Sequence, residues 1–372
     1  MCLRRSLLLR TVALPLAAAG VLLAAGSAGA DDPGGGLDFS VRSEGGKGEE
    51  GHKRPDGFTI GDPRIDESSG LAASRRHKGV YWTHNDSAHE PRVYAVDGRT
   101  GKTVATVTLR GFNLRDAEAI SVGPHGDVYV GDIGDNLGGK WSEVWIYRFR
   151  EPARLHDTTV APIRYRVRYA DGPRDAESLM VHPKTGRAYI VSKSNENKGA
   201  FYEGPPQLSA SRINTFRRIA RTDMWATDAA FSPDGTRLMV RGYFSGRMYA
   251  WRHGKPSALT GVAPPFQRQG ESVTFTPDGR NLMFGSEGAS SEVQPVELDG
   301  KALPENVAAQ DRRSGGGDGG DGKSGESGAG GDSGSGGSGG EDGGHHVTGA
   351  AVTFAVAVAL WLGARRLFRR RD

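Results

Sequence analysis

The stretch Asp175-Ala-Glu-Ser-Leu-Met-Val-His-Pro-Lys-Thr-Gly186 holds the repeated pattern that decides the fold. Its first half occurs in five copies, and four of the five run into a tight turn that contains Pro and Gly. The copies begin at Glu67, Asp116, Asp175, Trp225 and Gln269. Their alignment puts Ser69, Glu118, Glu177, Thr227 and Glu271 in one column, at spacings of 49, 59, 50 and 44 residues. Repeats of this size, each followed by short β-rich runs, are typical of a β-propeller.

The number of copies predicts an all-β domain at residues 56–310, a single propeller of five four-stranded blades. Runs of four to seven residues rich in Val, Ile, Tyr, Phe and Trp follow each copy, which favours half-buried strands. The fifth unit ends one strand short, after residues 293–298, whereas residues 57–61 form a strand without a blade. Pairing of these two strands would close the ring and protect both edges. Six blades are the alternative, if the long gap between Glu118 and Glu177 holds a degenerate unit.

The first 30 residues predict a signal peptide. Three arginines precede an apolar stretch at residues 12–25, and Ala28-Gly29-Ala30 supplies a small-residue cleavage pattern before Asp31. The only cysteine, Cys2, lies inside this segment, so the processed chain would have no disulfide and no cysteine metal site. Residues 31–55 are predicted to be a disordered N-terminal segment.

The C-terminal end predicts a tether and a membrane anchor. Residues 311–346 are rich in Gly, Ser and Asp, which predicts disorder. Residues 347–364 are uncharged and apolar, enough for a transmembrane helix of about 27 Å. Residues 365–372 form a basic tail, which predicts an exported, single-pass protein of the cell membrane with an extracellular propeller and a cytoplasmic C-terminus. Sortase processing is the alternative, although the usual Leu-Pro-x-Thr-Gly box is missing.

The charge distribution argues against a nucleic-acid partner. The chain has a formal net charge of +4, but its first 30 and last eight residues together carry +7. Residues 55–313 carry +4 spread over their whole length, which is not the basic footprint that a phosphate backbone needs. We therefore expect no nucleic acid as a partner.

Four motifs of the predicted propeller carry a resemblance to a known family. They are Asn85-Asp86-Ser87, Gly131-Asp-Ile-Gly-Asp-Asn136, Asp175-Ala-Glu177, and Gln269-Gly-Glu271 followed by Pro277-Asp-Gly279. In these motifs, over about residues 57–300, the chain resembles a membrane-anchored member of a family of exported bacterial propellers described as WD-repeat-like or phytase-like. The resemblance implies the propeller fold, and members of that family mostly lack an assigned activity. More distantly, the repeats are similar to calcium-dependent phytase propellers and to gluconolactonase-type propellers. The chain departs from phytases in its predicted blade number, and their phosphate-site motifs have no residue-by-residue match in it.

Propeller geometry predicts that the polar residues of the repeats share one mouth of a central channel. The first two strands of a blade are antiparallel, so the start of one lies beside the end of the other. Six residues at these ends are candidate calcium ligands: Glu118, Glu177, Glu271, Asp132, Asp135 and Asn136. Oxygen donors without cysteine suit a hard cation such as calcium. Seven further residues there are candidate contacts for another ligand: Asn85, Asp86, Asp116, Asp175, Lys193, Arg241 and Glu287.

A structural role competes with cation binding at the repeated glutamates. Their carboxylates can accept charge-assisted hydrogen bonds from the backbone of a neighbouring blade and so set its register. The Pro-Gly turns lie at the opposite mouth of the channel, where we expect turn formation rather than a site.

These features predict a binding module at the cell surface, whose acidic channel mouth takes an unknown small ligand or a cell-surface protein. The alternative is a calcium-dependent hydrolase of the phytase-like or lactonase type, with Glu118, Glu177, Asp132 and Glu271 as metal ligands. In such an enzyme the metal would activate water or polarise the substrate. The sequence assigns no catalytic residue.

Overall fold

The computed structural model describes residues 54–86, 90–135, 138–194, 196 and 198–314. These ranges contain twenty-one β-strands, a short 3-10 helix and one α-helix. The first ten strands are β1 (Phe58–Thr59), β2 (Ser68–Ala73), β3 (Val80–Asn85), β4 (Arg92–Asp97), β5 (Thr103–Leu109), β6 (Ala117–Val122), β7 (Asp127–Asp132), β8 (Val144–Arg150), β9 (Thr158–Val160) and β10 (Ile163–Tyr169). The others are β11 (Ala176–Val181), β12 (Ala188–Ser192), β13 (Gly199–Glu203), β14 (Asn214–Thr222), β15 (Ala226–Phe231), β16 (Arg237–Gly242), β17 (Gly246–Arg252), β18 (Lys255–Gly261), β19 (Gly270–Phe275), β20 (Asn281–Ser286) and β21 (Glu292–Glu297).

The strands pair in groups that share one plan. Each group starts with a strand of the repeated motif and continues outward through the strands that follow it in the chain, except that the last group ends with β1. The hydrogen-bonded orders are β2-β3-β4-β5, β6-β7-β8-β10, β11-β12-β13-β14, β15-β16-β17-β18 and β19-β20-β21-β1. Strand β9 adds to β5 in parallel, and β10 pairs in parallel with β14, which joins the second and third groups into one sheet.

The motif strands pack side by side in a closed cycle: β2 contacts β6, then β11, β15 and β19 follow in turn, and β19 contacts β2 again. Strands β11 and β19 are buried along their whole length, as expected for strands covered on both faces. A ring of such strands around a central channel defines a β-propeller. The predicted β-propeller fold is therefore confirmed.

The N-terminal strand β1 pairs with the last strand of the chain, β21. Phe58 lies opposite Val293 and Thr59 opposite Glu292, in antiparallel register. The Phe58 ring also lies 5.5 Å from the ring of Tyr81 in the first group. Strand β21 thus has a partner on its outer side, which removes an exposed edge.

Aromatic side chains between neighbouring groups form much of the core. The rings of Trp82 and Phe149 meet edge to face at 6.1 Å between the first and second groups. Between the third and fourth groups, the ring of Tyr189 lies 5.6 Å from that of Phe231 and 4.8 Å from that of Trp251. A buried aromatic side chain removes about 150–250 Å² from water, which is worth about 4–6 kcal/mol before entropy is counted. This packing holds the groups together around the channel.

The α-helix α1 (Glu305–Ser314) follows the propeller unit, which ends at Ala302. Ten residues make a helix of about 15 Å, whereas the apolar core of a bilayer is about 30 Å thick. Within the described ranges, no helix is both long enough and apolar enough to cross a bilayer. This finding contradicts the predicted single-pass membrane location.

Several predicted segments lie outside the described residues. These are the signal peptide at residues 1–30, most of the N-terminal segment, the helix at residues 347–364, the basic tail, and the tether apart from its first residues.

Candidate functional site

Each residue of the repeat column lies at a β-bulge. In all five motif strands the pairing register slips by one residue there, so that the column residue is left out of the ladder: Ser69, Glu118, Glu177, Thr227 and Glu271. A bulge re-aims the side chain of the extra residue. All five residues are buried at the same end of their strands. The bulges thus give five units a polar side chain at one mouth of the channel, the acidic mouth.

Hydrogen bonds from column residues reach the motif strands of neighbouring units. Ser69 Oγ donates a hydrogen bond of 3.1 Å to Oε2 of Glu118, although the two residues are 49 positions apart in the chain. Thr227 Oγ1 donates a hydrogen bond of 2.9 Å to the carbonyl oxygen of Gly270 in the next unit. The column is therefore a set of spatial neighbours as well as a sequence repeat.

Lys193 lies among the carboxylates of the acidic mouth. Its Nζ donates hydrogen bonds to Oε1 of Glu177 and, at 3.0 Å, to the hydroxyl of Tyr243. Burial by itself would lower the pKa of the Lys193 ammonium, but the charges of Glu177, Tyr243 and Glu271 raise that pKa well above its usual value. Lys193 therefore stays charged and offsets one carboxylate.

The carboxyl group of Glu118 holds a proton more tightly than an exposed glutamate does. Burial raises its pKa well above the usual value, and the negative charges of Asp86, Glu177 and Asp116 raise it further. In the absence of a cation, protonation is the way in which such crowded carboxylates relieve their repulsion.

Glu271 has a similar environment in the fifth unit. Burial raises the pKa of its carboxyl group well above the usual value, and Glu177 adds to this, while Lys193 and Arg241 oppose it. Its Oε1 accepts a hydrogen bond of 2.9 Å from Nε2 of Gln269. Arg241 therefore shares with Lys193 the balancing of the negative charge at the acidic mouth.

Two groups of three carboxylates at the acidic mouth are close enough to share a cation. Asp86, Asp116 and Glu118 form one group, and Glu67, Asp86 and Glu287 form the other. In each group one oxygen per residue lies within 4.8 Å of the others. Asp86 belongs to both groups, so the five carboxylates form one continuous cluster of oxygen donors, which is the ligand type that calcium prefers.

The backbone at Gly134 lies so close to two of these carboxylates that a larger side chain would not fit there. A Cβ atom at this position would lie 2.6 Å from Oδ2 of Asp116 and 2.8 Å from Cγ of Glu118. The N–H of Gly134 also donates a hydrogen bond of 3.1 Å to the carbonyl oxygen of Asp116. The loop after β7 therefore packs directly against the Asp86-Asp116-Glu118 group.

Asp132, a predicted calcium ligand, supports the chain in front of β6. Its Oδ1 accepts hydrogen bonds from the backbone N–H of Asp116 at 2.9 Å and from that of Arg115 at 3.2 Å. Burial raises the pKa of the Asp132 carboxyl group, while these donors and the Arg115 guanidinium oppose the shift. Asp132 is fully buried and is not a member of either carboxylate group.

Asp135 and Asp175, also predicted site residues, shape the loop that follows β7. The backbone N–H of Asp135 donates to Oδ1 of Asp175 at 2.9 Å, and Oδ2 of Asp135 accepts from the backbone N–H of Trp141 at 2.6 Å. Neither belongs to a carboxylate group that could share a cation. Asn136 lies outside the described residues.

Asn85, a predicted ligand contact, fixes the segment that leads into β2. Its Oδ1 accepts a hydrogen bond of 3.2 Å from the backbone N–H of Glu67, and its Nδ2 donates one of 2.7 Å to the carbonyl oxygen of Arg64. Asn85 therefore positions Glu67, a carboxylate of the cluster, through the backbone.

Arg241, another predicted contact, is fully buried below the acidic mouth. Its guanidinium donates hydrogen bonds to the carbonyl oxygens of Ser272 at 2.8 Å and Gly285 at 3.0 Å. Burial lowers the pKa of Arg241 to about 10, and the charges of Glu271 and Asp228 oppose the shift. Arg241 joins the fourth and fifth groups of strands and supplies a positive charge beneath Glu271.

Sequence reasoning missed Glu67 and Tyr243 as site residues. Glu67 stands two positions before Ser69, as Asp116 stands two positions before Glu118, so a second aligned column would have identified it. Tyr243 lies outside the repeated motif, and only its hydrogen bond to Lys193 reveals its place.

Comparison with solved structures finds matches of low identity and low TM-score. A provisionally assigned 6-phosphogluconolactonase from Bacteroides uniformis has 11% identity and a TM-score of 0.37, over 64% of this chain and 69% of its own. U3-55K has 12% identity and a TM-score of 0.33, over 62% and 68%. The WD40 repeats of RRP9 have 12% identity and a TM-score of 0.34, over 61% and 67%. At these values the three neighbours assign neither a ligand nor an activity to this chain.

No family model matches the sequence, and no curated protein matches it.

Proposed function

We propose that this protein is a five-bladed propeller that acts as a binding module, with a divalent cation held at the acidic mouth. In this proposal each group of strands is one blade, and β1 supplies the fourth strand of the last blade. The cation, calcium by preference, is held by Asp86, Asp116 and Glu118, with Glu67 and Glu287 on the other side of Asp86. The bound cation then takes part in binding a small ligand or a protein partner.

The observation that carries the proposal is the position of Asp86 in two carboxylate groups. A lone group of three acids is common on protein surfaces, but here Glu67, Asp116 and Glu118 are each at most 3% exposed. Burial of several negative charges is costly unless a cation or protons compensate them. Oxygen-only donors favour calcium over zinc or copper.

Calcium-dependent thermal stability of the full chain tests the proposal. After dialysis against a chelator at pH 7.5, calcium at 100 times its Kd should stabilise the fold by about 2.7 kcal/mol. For a domain of this size that corresponds to a rise in Tm of roughly 5–11 °C. The Asp86→Asn variant should lose most of this rise, because it removes the carboxylate that both groups share.

Glu196→Gln is the matched control, since it removes one exposed carboxylate that is paired with Lys198 outside the cluster. Its response to calcium should equal that of the unmodified chain. If 10 mM calcium leaves Tm unchanged, or if Asp86→Asn and Glu196→Gln respond alike, the cation site is wrong.

The second candidate is a calcium-dependent hydrolase of the phytase-like or lactonase type. The buried Glu177 carboxylate favours it, because its charge acts on Glu118 of the proposed cation site and a carboxylate there can act as a general base. Turnover of phosphomonoesters or lactones by the purified chain, if it requires calcium and is lost in Glu177→Gln, would replace the binding module with this enzyme. The proposed binding module predicts no such turnover.

A further inference from the structure

We propose that the opposite mouth of the channel is a second binding site, for a small carboxylate with an apolar body. We call it the basic mouth, after Arg75, Arg76 and Lys78 at its rim. It is separate from the acidic mouth and does not depend on the cation proposed there. Three features carry the inference: a half-open cavity, a rim of cations, and walls whose hydroxyl groups accept hydrogen bonds from neighbouring units.

The cavity lies where the motif strands end. Its volume is about 370 Å³, within the range of about 300–1,000 Å³ that small-molecule sites occupy. Apolar side chains from several units line it, among them Val122, Val181, Phe231 and Phe275, with Pro233 and Pro277 from the turns. The cavity is therefore built by the closed ring and not by any one unit.

The rim of this cavity is positively charged. Arg75, Arg76 and Lys78, all in the turn between β2 and β3, line it, and none of the described residues that line it is acidic. Arg75 is exposed at this rim, and the charge of the Glu151 carboxylate acts on it. The three cations thus stand at the edge of an apolar space without an acid beside them in the lining.

Glu151, the acid whose charge acts on Arg75, already accepts hydrogen bonds on both of its carboxylate oxygens. Its Oε1 accepts hydrogen bonds from Ser74 Oγ at 2.6 Å and from Trp82 Nε1 at 2.7 Å, and its Oε2 accepts one of 3.1 Å from the backbone N–H of Arg76. Glu151 is 2% exposed, so it cannot reach out over the rim. The exposed cations of the rim are available to an external anion, and a carboxylate fits the fork of an arginine.

The walls offer a ligand few free polar groups. Thr274 Oγ1 accepts a hydrogen bond of 3.3 Å from the backbone N–H of Ala73, and Ser121 Oγ accepts one of 3.0 Å from that of Val181. These hydroxyl groups join neighbouring units, and most of the other side chains that line the cavity are apolar. The part of the ligand that enters the channel should therefore be a hydrocarbon, with the carboxylate held at the rim.

Isothermal titration of the full, calcium-free chain with octanoate, 1-octanol and octylammonium tests this site. Octanoate should bind at least tenfold more tightly than either of the other two, which share its hydrocarbon chain but not its charge. The Arg75→Gln/Arg76→Gln double variant should weaken octanoate binding at least tenfold. Ala230→Leu, which enlarges a half-buried side chain in the cavity wall, should weaken it as well.

Arg99→Gln is the charge-matched control, because Arg99 is exposed in a turn of the same blade and does not line the cavity. It should bind octanoate as the unmodified chain does, and so should Glu118→Gln, which alters only the acidic mouth. Equal affinities for the three octyl compounds, no octanoate binding up to 5 mM, or equal effects of the double variant and Arg99→Gln would each overturn the proposal.

Discussion

The two mouths of the channel are formed by the same five strands and carry opposite charge. At the acidic mouth, buried carboxylates surround Lys193, whereas at the basic mouth Arg75, Arg76 and Lys78 stand over apolar walls. From Ser69 to Ser74 the chain advances five residues, about 17 Å in an extended strand. Two unit charges at that separation interact by only about 0.2 kcal/mol in water. The two mouths can therefore be altered one at a time.

The mouths also differ in how their arginines are held. Arg241 is fully buried and donates to main-chain carbonyl oxygens, while Arg75 is exposed at a rim. The same residue type thus has a structural role near one mouth and is available to a ligand at the other. The predictions that follow test this contrast, from the largest expected effect to the smallest.

Arg241→Met should destabilise the fold most. The change leaves the carbonyl oxygens of Ser272 and Gly285 without their donor, and loss of buried hydrogen bonds of this kind costs about 3 kcal/mol in total. Thermal unfolding should show Tm lowered by roughly 6–12 °C. A Tm within 2 °C of the unmodified chain would show that Arg241 is not a structural residue.

Gly134→Ala should disturb the acidic mouth alone. The new Cβ would lie 2.6 Å from Asp116 Oδ2, which forces the carboxylates apart and costs about 1–3 kcal/mol. The rise in Tm caused by calcium should shrink, while octanoate binding at the other mouth stays the same. Gly61→Ala is the matched control, because a Cβ at Gly61 has no neighbour within 4 Å. If the two variants respond equally to calcium, the carboxylates do not form the cation site.

The acidic mouth should make stability fall as pH rises. The pKa values of Glu118 and Glu271 are raised in the folded chain, so folding holds their protons more tightly than the unfolded chain does. Their favourable contribution is complete below the unfolded value of about 4.3 and is lost as pH rises toward the raised folded values. Scans of Tm between pH 4.5 and 8 without calcium should show this decline.

The Glu118→Gln/Glu271→Gln variant should reduce the decline and be the more stable chain at pH 8, while the raised pKa values of Asp132 and Asp228 maintain the remainder. Addition of calcium should have a similar effect on the unmodified chain, since the cation replaces the protons. A decline that is the same in the variant would mean that other groups cause it.

Arg75→Met should have the smallest effect on stability. An exposed rim residue contributes about 0.5 kcal/mol or less, or roughly 1–2 °C in Tm. Unfolding curves of Arg75→Met and Arg241→Met, measured together, compare the same substitution at the two ends of the channel. A large loss of stability in Arg75→Met would mean that the basic rim holds the fold together.

The sequence predicted the fold well because the information is repeated. Five copies of one motif indicate five motif strands, and their common turn places Glu118, Glu177 and Glu271 at the same end of each strand. It could not predict the bulges, since a register slip depends on how two strands pair. The predicted membrane location was wrong, since no helix in the described part of the chain is long enough and apolar enough to cross a bilayer.

The candidate site was predicted only in outline. Asp132 and Asp135 have the right chemistry for calcium, but their oxygens accept hydrogen bonds from the backbone of nearby loop residues. Asp86, Asp116 and Glu287, predicted as contacts for another ligand, also lie in the carboxylate groups. Which carboxylates meet depends on the paths of separate loops, which no spacing in the sequence records.

By itself, the sequence determined the β class, the repeat and the common strand end at which Glu118, Glu177 and Glu271 lie. It could do so because alternation and turn signals are local properties of the chain. Only the tertiary structure decided which carboxylates lie within 4.8 Å of one another, and that Arg75, Arg76 and Lys78 border a cavity built by other units. These distances follow from closure of the ring, which brings together residues that are far apart in the chain.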